Sequence, residues 1–376
     1  MTNIIQINPT MVTRISTNTF FKIDKPTSAE SGDWDVQSTI DIDDFVIYKS
    51  IDSIINGKVE WEDTELYQWI VDGLNKGEVK WACNSLKACN QRGQYIINLY
   101  DDIKRIGKIL LRDEVLKRDD LKSRSTYLVN DDIQVVIGRT GEILFAKNGS
   151  HRLCIAKILG FNTVPVKVYK RHTEWENYRK YVIGICKKLW KDKTYQEIPH
   201  PDFSEIKPMH PSTRYDLVKA NTNLRNVKLV DIGSLFGYIC YRAEQDGYQC
   251  TAVEIDDLYL GIMKKLHAAC QMKYRIFDGT IFDIDDKEYD IIIAFNIFHH
   301  FLKTEKDHGR LIKLLNELTY KELFIQFHRT DEPQMVGAYK NYTEEEFAKF
   351  IVDNSKNKSG YTYIGEENGR KIYKIY

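Results

Sequence analysis

From Val227 to the C-terminus the chain alternates short apolar runs with longer amphipathic stretches. Val227–Ile232, Cys250–Ile255, Tyr274–Phe277, Asp290–Phe295 and Leu323–Phe327 are predicted strands, apolar along most of their length, as strands buried on both faces must be. Helical periodicity fills several of the intervals, so the pattern predicts a parallel sheet wrapped by helices. Tyr361–Ile364 and Lys371–Ile375 flank Glu-Glu-Asn-Gly-Arg, a turn-rich stretch suited to an antiparallel hairpin at the sheet edge.

The upstream pattern is different. Ile133–Ile137 and Glu142–Phe145 flank Gly138-Arg-Thr-Gly141 and read as a hairpin. Asn148-Gly-Ser-His-Arg152 follows, then a helix over about 153–159 that Gly160 ends, then a strand over Val164–Tyr169. Residues 41–121 read as mainly helical, and Trp175–Lys191 carries large apolar residues at helical spacing. Pro199, Pro201, Pro208 and Pro211, half of the eight prolines, fall between Glu197 and Thr213, where they forbid a continuous helix or central strand. The expected organisation is an α+β domain over 1–196 with a mainly helical N-terminal part, a linker over 197–212, and an α/β domain over 213–376.

A chain of 376 residues exceeds what one core usually covers, which agrees with two domains. The 54 basic and 54 acidic side chains cancel, so the overall charge offers no broad cationic face for duplex nucleic acid or anionic membrane. Seven scattered cysteines without C-x-x-C suggest neither a disulfide framework nor a zinc ribbon, and a reducing cytoplasm is the expected location. No signal-like leader and no long apolar run occurs, so neither export nor a membrane span is expected.

Candidate chemistry begins at Asp231-Ile-Gly-Ser-Leu-Phe-Gly237, directly after a buried-strand pattern and opening a helix, where open α/β sheets bind nucleotides. Gly233 permits the tight turn and Gly237 lets the helix approach the ligand. Glu254 ends the next strand, about twenty residues on, where a carboxylate accepts from ribose hydroxyls. Phe277-Asp278-Gly279 ends the third strand. Tyr289-Asp-Ile-Ile-Ile-Ala-Phe-Asn296 and the following Ile-Phe-His-His-Phe complete the set.

Together these residues resemble the class I S-adenosylmethionine-dependent methyltransferases over Val227–Tyr376, terminal hairpin included. The resemblance implies a Rossmann-like domain, S-adenosylmethionine as cofactor, and cofactor contacts from Asp231, Gly233, Ser234, Phe236, Gly237, Glu254, Ile255, Asp278, Gly279 and Asn296, with Asp278 at the adenine amino group. Leu235 departs from it, standing where many members have a middle glycine. It excludes the close backbone approach that a pyrophosphate needs and so favours a methionine-containing ligand.

Neither the Pro-Pro-aromatic motif of amino-directed DNA methyltransferases nor the Pro-Cys nucleophile of cytosine C5 enzymes is present. His299 and His300 follow the fourth strand and are candidate bases for a hydroxyl acceptor, although adjacent histidines on a helix are not expected to face one site together. His328 is a third candidate. No H-E-x-x-H occurs, and no metal site is expected.

Upstream, Asn148-Gly-Ser-His-Arg-Leu-Cys-Ile-Ala-Lys-Ile-Leu-Gly160 and Thr163-Val-Pro-Val166 resemble the ParB/sulfiredoxin-like fold over about 130–172. Free backbone N–H groups, the helix dipole, His151 and Arg152 make an anion site there, so Gly149, Ser150, His151 and Arg152 are candidate phosphate- or nucleotide-binding residues. The resemblance implies ATP or CTP with Mg, in a kinase or regulatory role. Ser150 replaces the sulfiredoxin cysteine, and the Asp-Gly-His-His-Arg of related serine kinases reads Asn148-Gly-Ser-His-Arg here. Gly32-Asp-Trp-Asp35 and Trp61-Glu-Asp-Thr64 set carboxylates beside aromatics, either as metal or base residues or as acidic turns packed by a tryptophan.

The sequence therefore predicts an S-adenosylmethionine-dependent methyltransferase acting on a small-molecule or glycan-type acceptor, joined to a phosphate-handling module. The alternative is a ParB-like nucleic-acid-binding protein with an appended methyltransferase domain. Zero net charge and the missing DNA-methylation motifs count against that alternative.

Overall fold

The computed structural model describes residues 4–17, 29–37, 39–122, 132–211 and 213–376. The chain divides into two compact units, Met1–Lys180 and Tyr181–Tyr376.

The first unit is built on a six-stranded mixed sheet of β1 (Ile4–Ile7), β2 (Val12–Ser16), β3 (Thr39–Asp41), β4 (Gln134–Ile137), β5 (Ile143–Lys147) and β6 (Val164–Arg171), in the order β1-β6-β4-β5-β2-β3. β4 and β5 form the predicted hairpin, with Val136 opposite Leu144, and β6 lies parallel to β4. Helices Val46–Ile55, Glu65–Asn75 and Leu86–Ile106 supply the helical content expected between β3 and β4. Helix Ser150–Ile158 starts earlier than the apolar pattern suggests, because Gly149 at φ 80° provides a left-handed N-cap.

In both acidic turns the tryptophan is buried. Asp35 is fully buried and accepts from the Arg139 backbone N–H at 2.7 Å and from the Arg139 guanidinium, while Trp34 packs with Val136, Leu144 and Tyr169. Trp61 is buried against Gly93 and donates its indole N–H to the Cys89 carbonyl at 3.2 Å; Thr64 caps the next helix.

The second unit holds a short parallel pair, β7 (Thr194–Gln196) with β8 (Pro208–His210), and a seven-stranded sheet. The large sheet comprises β9 (Lys228–Ile232), β10 (Gln249–Glu254), β11 (Arg275–Asp278), β12 (Ile291–Phe295), β13 (Glu322–Gln326), β14 (Tyr361–Glu367) and β15 (Arg370–Ile375), ordered β11-β10-β9-β12-β13-β15-β14. The first five in that order run parallel; β15 is antiparallel to β13, and β14 to β15. Alternation explains the apolar composition of β12: Ile291, Ile293 and Phe295 enter one core with Leu229 and Phe324, while Ile292 and Ala294 enter another with Val230 and Ile325.

The stretch expected as a linker, 197–212, carries elements of its own. The division falls between Lys180 and Tyr181, inside the helix Thr173–Trp190, and the proline-rich stretch belongs to the second unit. Pro201 opens a short 3-10 turn whose Phe203 is buried, and Pro208 opens β8. At both places a fixed φ is an advantage and a missing N–H costs nothing, so the prolines begin structure instead of preventing it. Among the described residues no helix is long and apolar enough to cross a membrane.

Candidate active site

The chain lays down β9, β10 and β11 in one direction, then crosses back to place β12 on the other side of β9. Such a reversal opens a crevice beyond the carboxyl ends of the strands. A cavity of about 460 Å³ occupies this position, walled by residues that end β9, β10 and β12.

The turn after β9 folds back onto β10, with the Gly233 and Ser234 amides donating to the Val253 carbonyl at 2.9 and 3.0 Å. Gly233 has φ 77° and lines the cavity; a Cβ there would stand 3.0 Å from the Ile297 side chain. Glu254 is buried in the wall, its Oε2 accepting from the Leu235 amide at 2.8 Å and its Oε1 from the Ile255 and Asp256 amides at 2.9 and 3.0 Å. Ile255, Gly279 and Asn296 also line the cavity. Asn296 follows β12 at φ 55°, donating to the Tyr195 hydroxyl at 2.9 Å and accepting from Arg370 Nη1 at 2.6 Å.

Five of the expected cofactor residues lie outside the lining. Asp278 turns to Lys264 across 3.1 Å of exposed surface, leaving Gly279 and Thr280 as the wall. Gly237 is buried beneath Tyr274 and Met263, where a Cβ would stand 2.3 Å from the Tyr274 hydroxyl, so this glycine lets the helix approach its own core. Ser234 donates its hydroxyl to the Asp231 carbonyl at 2.8 Å, and Phe236 is fully buried behind Trp190 and Tyr259. Asp231 is buried as well, and burial pushes its carboxyl up to about 7.

His299 and His300 both line the cavity, contrary to the expectation for neighbours on one helix. The segment Phe298–Leu302 is a short 3-10 helix, the cavity wraps round its start, and the two rings lean together with centroids 4.1 Å apart. Burial, assisted by His300, His328 and Arg370, pushes the His299 imidazole down to about 3. It is therefore neutral at physiological pH. His328 stays outside the lining, held at 3.1 Å from the Asn341 side-chain oxygen.

Sequence motifs gave no sign of Trp190, Tyr195, Tyr259, Thr280, Gln334 or Arg370, all of which line the cavity. Trp190 stacks on Tyr259 at 6.2 Å and forms an aromatic wall.

In the first unit, the segment Gly149 to Arg152 opens its helix as the sequence suggests, and helix Leu86–Ile106 adds two residues that the sequence did not single out. The His151 ring lies 5.9 Å from Tyr95 and 5.0 Å from Trp81, and the Arg92 guanidinium stands over both aromatics. Burial, with Arg92 and Arg152 adding to it, lowers His151 to about 3.

Residues 230–319 match the family model described as a methyltransferase domain, a span that holds the glycine turn, Glu254, Asn296 and both cavity histidines. The second unit carries a methyltransferase domain. No curated protein sequence matches the chain. Among solved structures, monomeric WbdD is similar at 17% identity and TM-score 0.41, over 51% of this chain and 47% of that one, so the match spans under half of WbdD. WbdD is described elsewhere as a bifunctional kinase-methyltransferase. Magnesium protoporphyrin IX methyltransferase from Synechocystis PCC 6803, solved with bound SAM, is similar at 16% identity and TM-score 0.34, over 44% of this chain and 76% of that one. A SAM-dependent methyltransferase from Aquifex aeolicus gives 13% identity and TM-score 0.34, over 43% and 87%.

Proposed function

We propose that the second unit binds S-adenosylmethionine in this cavity and methylates a hydroxyl of a small-molecule or glycan-type acceptor. One observation carries the reading: the Gly233 turn and the Glu254 carboxylate, joined through the Leu235 amide, face one cavity at the point where the strand order reverses. The cavity volume of about 460 Å³ falls within the roughly 300–1,000 Å³ of small-molecule sites. Gly233 leaves room for a ligand where a Cβ would crowd Ile297, and the Glu254 carboxylate, three of its roughly four lone-pair sites taken by backbone amides, retains accepting capacity for a ribose hydroxyl.

When bound, S-adenosylmethionine supplies a methyl group on positively charged sulfur. The stacked Trp190 and Tyr259 rings offer π faces to that charge. His299, neutral because it is buried, has a lone pair with which to take the acceptor's hydroxyl proton. Arg370 is engaged by Glu332 and Asn296, so among the described residues the wall holds no loose cation for an anionic acceptor, which favours an uncharged one. Titration of the full chain with S-adenosylhomocysteine tests the donor site. Transfer of labelled methyl to a panel of sugars, glycans and phenols, with oligonucleotides as the contrasting set, tests the acceptor class. Absence of S-adenosylhomocysteine binding by folded protein overturns the reading.

A second reading concerns the first unit, in which Gly149, Ser150, His151 and Arg152 bind phosphate, as ATP or CTP with Mg, in a kinase or regulatory role. It is favoured by His151, whose buried Nε2 has no hydrogen-bond partner among the described residues and whose imidazole is opposed by the Arg92 and Arg152 charges. A helix N-terminus, with its free backbone N–H groups and its dipole, attracts an anion.

A further inference from the structure

A run of polar side chains in the second unit leads from the cavity to the start of β15. Gln334 Oε1 stands 3.2 Å from His299 Nε2, and Gln334 Nε2 donates to Glu332 Oε2 at 2.6 Å. Arg370 Nε and Nη2 donate to the two oxygens of Glu332 at 2.7 and 2.6 Å, and the Arg329 backbone N–H adds a fourth donor at 3.0 Å.

Chemistry fixes the sense of every bond in this run. Glu332 is held below its ordinary pKa, the Arg329, Gln334 and Arg370 donors and the Arg370 charge outweighing the effect of burial. A carboxylate only accepts, so the Gln334 atom that faces Glu332 is the amide nitrogen, and the atom that faces His299 is the carbonyl oxygen. A carbonyl oxygen also only accepts. His299 Nε2 must therefore carry hydrogen, which leaves the lone pair of the neutral ring on Nδ1. Nδ1 has no hydrogen-bond partner among the described residues, although it is buried.

We infer that Gln334, oriented by Glu332 and Arg370, is a positioning residue that holds His299 as the Nε2–H tautomer and leaves Nδ1 to accept the acceptor's proton. The role of Nδ1 rests on the proposed methyl transfer; the tautomer does not. In that transfer the acceptor O–H bond breaks, its proton moves to Nδ1, and the freed oxygen pair forms the bond to the methyl carbon. The carbon–sulfur bond breaks with its electron pair going to sulfur, leaving a neutral thioether. The resulting imidazolium keeps its Nε2–H directed at Gln334 and, its pKa pushed down by burial, gives up the Nδ1 proton to water that replaces the departing products. With the opposite tautomer Nδ1 would already bear hydrogen and no such step could begin, which is why a fixed tautomer matters to a general base.

The full chain labelled with ¹⁵N-histidine provides the test, since imidazole nitrogen shifts separate a protonated nitrogen from one with a lone pair. The His299 signal is assigned by its loss in His299→Gln. The expected wild-type signal at neutral pH is that of the Nε2–H form. Gln334→Met, which removes the acceptor but keeps the volume, gives a mixture of tautomers. A wild-type signal from the Nδ1–H form overturns the inference, as does an unmixed Nε2–H signal in Gln334→Met. Should Gln334→Met fail to fold, the wild-type spectrum decides alone, and an Nδ1–H signal overturns the inference. Failure of the wild type to bind S-adenosylhomocysteine is a separate result: it overturns the methyl-transfer reading and the role of Nδ1, whatever the tautomer.

Discussion

Leu235 donates its backbone N–H to Glu254 Oε2 at 2.8 Å while holding φ at 53°, a left-handed conformation that a branched side chain adopts only at a cost. The two facts are linked. Turning this peptide into the left-handed region aims its N–H at the carboxylate, and the bond in return holds the turn against a strain of roughly 1–2 kcal/mol. The Ile255 and Asp256 amides bond to the other oxygen, so one side chain organises the turn after β9 and the end of β10 together.

Glu254→Ala should therefore fail twice. It removes the acceptor of three backbone amides, which at roughly 1 kcal/mol for each net bond lowers stability by about 1–3 kcal/mol, and it removes the carboxylate proposed to meet the ribose. Leu235→Gly relieves the strain and keeps the amide, so it should bind S-adenosylhomocysteine as well as the wild type does. Calorimetry and thermal melts on both variants check this. Equal binding by Glu254→Ala and the wild type removes the carboxylate from the site.

Gly237→Ala separates packing from ligand contact. The added Cβ meets the Tyr274 hydroxyl at 2.3 Å and Met263 at 3.1 Å, and φ is 77°, so both crowding and backbone strain act. A loss of about 2–4 kcal/mol is expected from overpacking plus strain. Donor affinity of the fraction that stays folded should be unchanged, because Gly237 lies outside the cavity wall. A stable variant with weakened binding would contradict that placement.

Much of the second unit was legible because its signals are local. The apolar runs at β9, β10 and β12, the glycine turn and the Asn368-Gly369 hairpin each declare themselves within a few residues. The cavity wall did not, since Trp190, Tyr195, Gln334 and Arg370 come from four distant segments that no short motif spans. Asp278 shows a related limit: its position at the end of β11 was legible, but its ion pair with Lys264, fourteen residues away on a helix, was not. The proline cluster shows the limit of composition, because the same residues that exclude a helix also fix the starts of a turn and of β8.

Asp231 predicts a pH dependence. Burial raises its folded-state carboxyl to about 7, against roughly 3.9 in an unfolded chain. The native state thus holds the proton more tightly, and its contribution to stability is full below about pH 4 and is lost as pH rises toward about 7, at about 1.4 kcal/mol per pH unit. His299 and His151, both pushed down to about 3, contribute with the opposite sign, their stability falling as pH drops below roughly 6.5. Comparison with Asp231→Asn isolates the carboxyl: the variant should gain on the wild type as pH rises from about 4 to about 7 and hold a constant difference above that. Parallel denaturation curves across this range would show that Asp231 does not titrate there.

The last prediction concerns the first unit, where Arg92 was added to the candidate phosphate site by the fold alone. A nucleotide that binds only the folded state stabilises it by mass action, about 2.7 kcal/mol at a hundredfold excess over Kd. ATP or CTP with Mg should accordingly raise the melting temperature of the full chain. Arg92→Met keeps an unbranched stem beneath Trp81 and Tyr95 but removes the charge, so it should reduce that shift while changing the nucleotide-free melting temperature little. Bound phosphate also opposes the Arg92 and Arg152 charges that depress His151, so the His151 pKa should rise on binding, readable from its imidazole resonances. Turnover of ATP would assign a kinase role and CTP binding without turnover a regulatory one. If neither nucleotide moves the melting temperature of well-folded protein, the cluster of Trp81, Arg92, Tyr95 and His151 is packing, with the arginine lying over aromatic rings and the histidine kept neutral by burial.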